Sequence, residues 1–391
     1  MRIVCFIFLL FLFQPVRSQV RCGTTGSTAP VISYKKGAPD AESPVVTIPV
    51  VIHILYNNNN DNISAEQVSS QIEVLNRDYA GLNEDIGKVP DAFKPLIADT
   101  RIQFALAKVD PEGRATNGII RRKTAQTTWK QDDKMKFSAN GGSDAWDSRY
   151  YLNIWVCRLG NGMLGYSSFP GSAPEKDGVV IRTDIFGAHN IAHPVYNRGR
   201  TATHEIGHWL NLKHLWGDQY CGDDDVDDTP PQANYNSGCN NFPVIKPGGC
   251  NNSPDGEMFM NFMDFSDDAC VLMFTRGQAK RMQQLFTSSG LRRTITESPA
   301  LGSPWNFSPA PAEHTLHLHV YPNPVSSELF LGDKHGSPVT AETYIIYNMY
   351  GQKLKQGSAA SSISTYDLAA GTYVLQVHTA GGSATIKFIR K

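Results

Sequence analysis

One stretch of this chain constrains its fold more than any other: residues 204–214, which contain three histidines and a glutamate. Residues four apart share a face of an α-helix, so His204 and His208 can direct their imidazoles to one point. In a continuous helix His214 would lie ~9 Å further along the axis, on the wrong face. The helix is therefore predicted to end near Asn211, because asparagine readily adopts the left-handed conformation of a helix end. The chain can then return His214 to the other two histidines.

The same stretch has the spacing of a catalytic zinc site. Catalytic zinc takes three protein ligands and leaves a fourth position open, which fits His204, His208 and His214. Glu205 points to the neighbouring position, where it can act as general base on a metal-bound water. Three core histidines are the alternative, but each would need its own buried polar partner. The pattern predicts a zinc metalloendopeptidase that acts on proteins or peptides.

Composition limits the other possibilities. The chain has 391 residues, 41% of them hydrophobic, which allows a sizeable core and favours two domains. Its 36 basic and 37 acidic residues give a formal charge of -1, so no nucleic-acid partner is expected. Residues 1–18 have the features of a secretory signal peptide. Beyond them, no apolar stretch approaches the ~20 residues of a transmembrane helix.

Cysteine placement indicates an exported, cross-linked protein. Four cysteines follow the histidine stretch and predict two disulfides: Cys221, Cys239, Cys250 and Cys270. A structural zinc site is the alternative, but the uneven spacing lacks the paired arrangement that such sites use. Cys157 lies in an apolar segment and is expected to be a buried thiol.

The region around the histidines predicts an α/β (α+β) catalytic domain, residues 44–297, with a mixed sheet and a loop-rich lower half. Alternating strands and helices occupy its first part, whereas Asp, Gly, Asn, Pro and Cys dominate after residue 215. A helix is predicted after Ser64, with Gln67 completing a capping box. The other predicted elements are strands at Val45–Tyr56, Ile102–Leu106 and Tyr151–Val156 and a closing helix at Arg276–Phe286.

The flanking segments differ from this domain in composition. Residues 19–43 are rich in Gly, Ser, Thr and Pro and lack periodicity, which favours a pro-segment. Residues 298–314 are rich in Pro and Ser and predict a linker. Residues 315–391 contain short alternating segments separated by turn residues, which predicts an all-β sandwich.

Several motifs together resemble one family. HEIGHWLNLKH, WGD, DVDDTP, MFMNFMDFSDDAC and FTRGQ resemble the pappalysin family of metzincin peptidases over about residues 44–290. The resemblance implies that His204, His208 and His214 bind zinc and that Glu205 is the general base. It also implies that Met263 is the Met-turn residue that supports the base of the zinc site.

The resemblance further implies cross-links and a second metal. Relatives pair their loop cysteines in an interleaved way, which implies Cys221 with Cys250 and Cys239 with Cys270. They also bind structural calcium beside the aspartate-rich loop, which implies contacts from Asp224, Asp227 and the carbonyl of Thr229. Without the resemblance, this acidic run would be read as a solvated loop.

The chain departs from the family pattern in two places, and one further feature bears on specificity. Asn211 stands where metzincins usually carry glycine, which is a small change because both tolerate a left-handed conformation. Phe265 stands where relatives carry a tyrosine whose hydroxyl can stabilise the oxyanion, so zinc alone or another donor must serve. Relatives that cut before arginine use an acidic residue low in the S1′ pocket, and the corresponding loop near Asn240–Phe242 offers no carboxylate. Cleavage specificity is left open.

The stretch Arg21-Cys22-Gly23-Thr24 suggests latency. Cys22 could be an inert thiol, a partner for Cys157, or a thiolate in the open position of zinc in the precursor. Relatives with an RCGT-like stretch here use it in the third way, and Gly23 would allow the close backbone approach. A zymogen with a cysteine switch is therefore predicted.

The C-terminal segment resembles the sorting domain of the type IX secretion route of Gram-negative bacteria. The resemblance rests on Tyr321-Pro322-Asn323-Pro324, Tyr347-Asn348-Met349-Tyr350-Gly351 and the stretch from Asp367 to Tyr373. It implies the secretion machinery as a partner and a secreted or cell-surface location. A retained adhesive sandwich is the alternative for this domain, and a non-enzymatic, zinc-containing surface adhesin is the alternative for the whole chain. An intact Glu205 argues against the adhesin, because structural zinc needs no base.

Overall fold

The computed structural model describes residues 20–24, 44–189, 191, 193–251, 253–302, 318–333, 336–348, 353–379 and 382–391. The chain divides into two compact units, residues 1–307 and 308–391. The predicted signal peptide, the pro-segment after Thr24 and linker residues 303–314 lie outside the described residues. Among the helices described, none combines the length and the apolar composition that a membrane crossing requires.

A mixed sheet forms the centre of the first unit. Its strands, within the described residues, are β1 (Val20–Cys22), β2 (Val46–Tyr56), β3 (Ile102–Leu106), β4 (Ile119–Lys123), β5 (Leu152–Cys157), β6 (Met163–Ser167) and β7 (Val179–Arg182). Their spatial order is β1-β6-β7-β5-β2-β3, and β4 also pairs with β2. The pairs are parallel except for β6 with β7. The predicted mixed α/β fold is confirmed.

Apolar periodicity explains how the helices dock on this sheet. The α-helices of the described part are α1 (Ala65–Ala80), α2 (Arg200–Trp209) and α3 (Arg276–Gln283). Short 3-10 helices occupy Asn59–Asp61, Ile86–Lys88, Lys94–Leu96, Lys134–Lys136, Ser138–Asn140, Pro174–Lys176, Thr183–Ile185, Gln284–Phe286, Arg293–Glu297 and Pro299–Leu301. Val68, Leu75 and Tyr79 of α1 are fully buried in the same core as Ile52 and Ile206. This common core fixes α2 beneath the sheet.

The predicted capping box of α1 is only half formed. The Gln67 amide N–H donates to the Ser64 hydroxyl over 3.1 Å. The Gln67 side chain, however, donates to the Phe186 carbonyl over 2.8 Å, so it contacts the tertiary structure and not its own helix. The complete capping box lies at α3, where Thr275 and Gln278 exchange both hydrogen bonds.

The segment between α2 and α3 contains no helix or strand within the described residues. Cross-links hold it, since disulfides join Cys221 to Cys250 and Cys239 to Cys270, with Cα–Cα distances of 5.7 and 5.5 Å. This is the interleaved pairing that the resemblance implies. Cys157 is a fully buried free thiol, as predicted.

The first unit extends further than the predicted boundary at residue 297. The Lys108 amide donates to the Ala300 carbonyl over 2.8 Å, and the Ser298 hydroxyl donates to the Tyr150 carbonyl over 2.9 Å. Ala300 is fully buried. The first residues of the predicted linker, 298–302, therefore pack on the catalytic unit.

The second unit consists of two β-sheets with one core. One sheet contains β8 (His319–Tyr321), β9 (Glu328–Gly332), β10 (Pro338–Val339) and β13 (Ile363–Ser364). The other contains β11 (Ala341–Asn348), β12 (Lys353–Ala360), β14 (Gly371–Thr379) and β15 (Gly382–Arg390), in the order β12-β11-β14-β15. Leu329 and Leu331 of the first sheet share a buried cluster with Ile346 and Leu375 of the second. The two sheets thus form the expected sandwich, with Met349, Tyr350 and Gly351 of the sorting motif outside the described residues.

Candidate metal centre and its covering segment

The three histidines of the sequence motif converge at the end of α2. The helix ends at Trp209, and Asn211 adopts the predicted left-handed conformation, with φ of 72°. The Nε2 atoms of His204 and His208 lie 3.2 Å apart, and both lie near the Nε2 atom of His214, at 3.3 and 3.1 Å. All three side chains are buried.

Hydrogen bonds on the far side of each ring fix which nitrogen faces the centre. The Nδ1 atom of His204 faces the Phe262 carbonyl at 2.7 Å, and that of His208 faces the Leu212 carbonyl at 2.8 Å. The Nδ1 atom of His214 contacts the carboxylate of Asp218. Because these oxygens accept hydrogen bonds, each Nδ1 carries the proton and each Nε2 presents a lone pair.

Three converging lone pairs require a cation. Burial lowers the pKa of His204 and His208 well below the usual value, so neither ring supplies a proton to the other. In a tetrahedral zinc site with Zn–N bonds of ~2.05 Å, ligand nitrogens lie about 3.3 Å apart. The observed spacing of 3.1 to 3.3 Å matches that geometry. These residues therefore fit zinc.

The Cys22 thiol lies at the remaining side of the cluster. Its Sγ atom lies 3.5 Å from the His208 Nε2 atom, close to the ~3.6 Å expected for a sulfur and a nitrogen that share one zinc. In the described residues, Cys22 and the three histidines form the cluster of side chains whose geometry can hold a metal ion. Burial raises the pKa of Cys22 well above its usual value, with a further rise from Glu205, so a thiolate here needs a cation beside it.

Glu205 lies next to this cluster and is fully buried. Its Oε2 atom accepts a hydrogen bond from the Thr24 hydroxyl over 3.0 Å and lies 3.5 Å from the Cys22 Sγ atom. Its Oε1 atom has no hydrogen-bond partner among the described residues. Burial raises the pKa of Glu205 to about 8. The covering segment therefore forms a hydrogen bond with the carboxylate that is predicted to act as general base.

The covering segment, residues 20–24, binds as an added strand. Strand β1 pairs in parallel with β6, with Cys22 opposite Gly165, and the Gly23 amide donates to the Gly165 carbonyl over 2.9 Å. The side-chain amide of Gln131 donates to the Gly23 carbonyl over 2.6 Å from the other side. A side chain at Gly23 would meet Met163 Cε at 2.9 Å and the Gln131 side chain at 3.0 Å, so any larger residue here would displace these two side chains.

Arg21 fills a pocket beside the metal centre. Its side chain is 2% exposed, and its guanidinium lies 3.6 Å from the Asp268 carboxylate and 5.4 Å from the centre of the Tyr196 ring. Asp268 also accepts a hydrogen bond from the Arg198 amide over 2.9 Å. Burial raises the pKa of Asp268, and Arg21 opposes that rise. Asp268, and not the Asn240–Phe242 loop, therefore places a carboxylate beside Arg21.

Met263 and Phe265 lie on the lower side of the centre. Met263 is fully buried, and a side chain added at Gly207 of α2 would lie 2.5 Å from its sulfur. Phe265 packs against both His204 and His214, with ring centres 5.6 and 4.9 Å away. Met263 therefore packs against the ligand-bearing helix, as a Met-turn residue would.

The residues predicted to bind calcium are only partly gathered. Asp224 is buried, its two oxygens accept from the Thr229 hydroxyl over 2.8 and 2.9 Å, and burial raises its pKa to about 7. Asp227 is exposed. The histidine and cysteine cluster meets the geometric criterion for a metal in the described part of the chain, and the acidic loop does not.

Sequence reasoning missed three residues of the site: Thr24, Asp218 and Asp268. The first was inside the RCGT stretch and Asp218 inside the WGD motif, so both were visible as neighbours of assigned residues. Asp268 likewise lay inside the MFMNFMDFSDDAC motif, but only the fold shows that it lies beside Arg21.

Known proteins with similar sequences are extracellular proteases. Curated relatives named extracellular metalloprotease include one from Arthroderma otae, 31% identical over 63% of this chain and 81% of its own, and one from Pyricularia oryzae, 29% identical over 70% and 86%. Among solved structures, Tannerella forsythia mature mirolysin with a cleaved peptide is 48% identical over 65% of this chain and 96% of its own, with a TM-score of 0.63. A Tannerella forsythia promirolysin mutant is 47% identical over 66% of this chain and 86% of its own, with a TM-score of 0.64.

Fold and site together define a secreted metallopeptidase. The family model described as pregnancy-associated plasma protein-A, peptidase M43, matches residues 137–287, and the model of the secretion-system C-terminal sorting domain matches residues 319–391. The chain belongs to the pregnancy-associated plasma protein-A (M43, pappalysin) family of metallopeptidases. The sorting domain places it outside the cell or on its surface. Because this family consists of peptidases, the alternative of a non-enzymatic adhesin for the whole chain is wrong.

Proposed function

We propose that this metallopeptidase is a zinc-dependent endopeptidase made as a latent zymogen. In this proposal His204, His208 and His214 hold zinc, Glu205 is the general base, and Cys22 occupies the fourth zinc position until the pro-segment is cut away. The observation that carries the proposal is the convergence of three Nε2 lone pairs and one sulfur at zinc-ligand spacing. A solved promirolysin among the similar structures supports the idea of a precursor.

The site suits hydrolysis of a peptide bond. Zinc, when bound, supplies Lewis acidity that acidifies water and polarises a carbonyl. Glu205 is placed to take a proton from the attacking water and to pass it to the leaving amine. Phe265 offers no hydroxyl, so the proposal assigns no side-chain donor to the developing oxyanion at that position. Met263 supports the floor of the site from below.

Latency would rest on three contacts of the covering segment. Cys22 would fill the open ligand position, and the Thr24 hydroxyl donates a hydrogen bond to the Glu205 carboxylate. Arg21 is buried against Asp268. Strand pairing with β6 holds all three in register. Because each contact blocks a different requirement of catalysis, removal of the whole segment is the step that activates the enzyme.

The Arg21 pocket also indicates the substrate. Once the covering segment leaves, Asp268 is a buried carboxylate beside the metal centre that has lost the Arg21 guanidinium, while the Arg198 and Arg200 amides still donate to it. Loss of a cationic neighbour makes a buried charge less favourable, whereas a lysine or arginine side chain of a substrate would replace it. We therefore propose cleavage next to a basic residue on the side of the metal where Arg21 lies.

The remaining domain and calcium assignments complete the proposal. Residues 1–18 would direct export, 19–43 would be the pro-segment, and the C-terminal domain would be removed after sorting. For calcium, the support is the buried Asp224 carboxylate, which accepts hydrogen bonds from two neutral donors, the Val226 amide and the Thr229 hydroxyl. Asp227 and the Thr229 carbonyl would complete the ligands.

Latency is tested with the full-length precursor. Cys22→Ala should give a precursor that cleaves casein or processes itself without delay, because the fourth zinc position opens. Cys157→Ala is the matched control, since it removes the other buried free thiol and should leave the precursor latent. A Cys22→Ala precursor that binds zinc and stays as silent as the wild type would rule out the cysteine switch.

Specificity is tested with a peptide-library digest by the activated enzyme. Wild type should cut next to lysine or arginine, and Asp268→Asn should lose most of that preference while cutting other sites. Asp267→Asn controls for a charge change at the neighbouring position and should retain the preference. Cleavage without any basic preference in the wild type would contradict the assignment of this pocket.

A further inference from the structure

The three histidines differ in what holds them. His204 and His208 lie on α2, and their Nδ1 atoms face main-chain carbonyls. His214 lies beyond the end of that helix, in a turn, and its Nδ1 atom contacts the Asp218 carboxylate. The histidine with the least support from regular structure is therefore the one paired with a charged side chain.

The backbone after His214 is shaped to bring Asp218 back to it. Gly217 and Asp218 both adopt left-handed conformations, with φ of 58° and 61°. A side chain at Gly217 would lie 2.5 Å from the Asp223 amide nitrogen, so that position requires glycine. The Gly217 amide donates to the His214 carbonyl over 2.9 Å, which closes the turn. Aspartate and asparagine are the non-glycine residues that adopt this conformation most readily, and here that residue carries the carboxylate.

A second contact fixes the plane of the ring. The Trp216 indole stacks on the His214 imidazole, with ring centres 4.5 Å apart and planes 3° apart. Stacking sets the plane but does not distinguish a ring flipped by 180° about the Cβ–Cγ bond, and a hydrogen bond at Nδ1 selects one of the two orientations. A carboxylate that accepts from Nδ1 also makes Nε2 a stronger electron donor to a metal.

We propose that Asp218 is a positioning residue that fixes the orientation and tautomer of His214 and thereby sets the affinity of the site for zinc. The inference rests on the proposed zinc site. It adds a residue that touches neither the metal nor the substrate. Side-chain exposure of 31% for Asp218 and 3% for His214 places this pair at the boundary between solvent and the buried centre.

The test compares zinc affinity in full-length variants. Asp218→Gly removes the carboxylate but accepts the left-handed backbone, and Asp218→Asn keeps a neutral acceptor and also tolerates that backbone. Competition with a chelating indicator should show zinc binding roughly 10-fold weaker for Asp218→Asn and about 100-fold weaker for Asp218→Gly. Asp223→Asn, an exposed carboxylate of the same loop, should bind as the wild type does. Melting temperatures of the zinc-free proteins should agree, because the role is in binding the metal.

Two failures are distinguishable. If the wild type binds one zinc and Asp218→Gly binds it equally tightly, Asp218 has no positioning role and the proposed function stands. If the wild type itself binds no zinc, the proposed metal site is wrong and this inference falls with it. Zinc loss that is matched by a lower melting temperature of the zinc-free Asp218→Gly protein would mean a structural role, which also overturns the proposal.

Discussion

The two halves of the catalytic unit are built differently, although both contribute to one metal centre. The upper half, residues 46–209, contains strands β2 to β7 and helices α1 and α2, packed around fully buried side chains such as Ile52 and Ile154. The lower half, residues 210–275, has no regular element among its described residues. The upper half supplies His204, His208 and Glu205, and the lower half supplies His214 and Met263.

Buried polar groups organise the lower half where a sheet organises the upper one. Asp264 is fully buried and accepts hydrogen bonds from the Asn236 amide and side chain, the Gln232 side chain and the Phe265 amide. Burial nevertheless raises its pKa to about 6. In a sheet many equivalent main-chain hydrogen bonds fix the backbone together, whereas in the lower half a few side-chain hydrogen bonds fix the path of the chain. A substitution in the lower half should therefore disturb the structure near the substituted residue, whereas a core substitution in the upper half should destabilise the whole unit.

Removal of zinc should have the largest effect and should separate the two halves. Chelation should abolish peptidase activity, one zinc per chain should restore it, and hydrogen exchange should rise mainly in residues 210–275. The reason is that the metal links His214 to a helix that the sheet already holds. Glu205→Ala should lose activity but keep zinc and keep the protection of the lower half. Activity that persists in protein shown to be zinc-free would refute the metal assignment.

A core truncation in the upper half should destabilise the whole unit. Ile52 is fully buried in β2, which pairs with three other strands, and Ile52→Ala should lower the free energy of unfolding by about 2–5 kcal/mol. Chemical denaturation should show one cooperative loss of the catalytic unit. Val45→Ala, at a position 45% exposed before the same strand, is the control and should change little. Loss confined to the lower half would contradict this picture.

Removal of a disulfide should act on the lower half alone. Cys221→Ser with Cys250→Ser opens a loop with a sequence separation of 29, which corresponds to about 3–4 kcal/mol in the chain-entropy model. Limited proteolysis should then cut within residues 215–275 before the sheet unfolds. The pair Cys239→Ser and Cys270→Ser should behave alike, because its separation is 31. Equal proteolytic stability of both halves in these variants would show that loop contacts suffice.

The junction between the halves should give the smallest effect. Asn211 has φ of 72°, so Asn211→Gly should change the free energy of unfolding by less than about 0.5 kcal/mol, whereas Asn211→Val should cost about 1–2 kcal/mol. Valine should also weaken zinc binding, since the turn returns His214 to the centre. Thermal unfolding and zinc titration measure both. Identical behaviour of the glycine and valine variants would mean that the left-handed turn is not required.

Secondary structure was predicted correctly where the sequence of one segment is enough to fix its conformation. The strands β2 and β3, helix α3 and the helix end at Asn211 follow from periodicity and from conformational preference. The prediction failed where a side chain had two partners to choose from, as with Gln67, which bonds to Phe186 and not to its own helix end. It also stopped too early at residue 297, because nothing in a Pro- and Ser-rich stretch reveals that Ala300 is buried.

The sequence by itself determined the three candidate metal ligands, because a helix places His204 and His208 on one face and the helix end at Asn211 makes His214 available. Only the tertiary structure decided that Cys22 lies 3.5 Å from His208 and that Arg21 meets Asp268. Both contacts depend on the pairing of β1 with β6 and on the path of a loop without periodicity. Such contacts join residues that are far apart in the chain, and their geometry follows from strand register and core packing, which no short segment encodes.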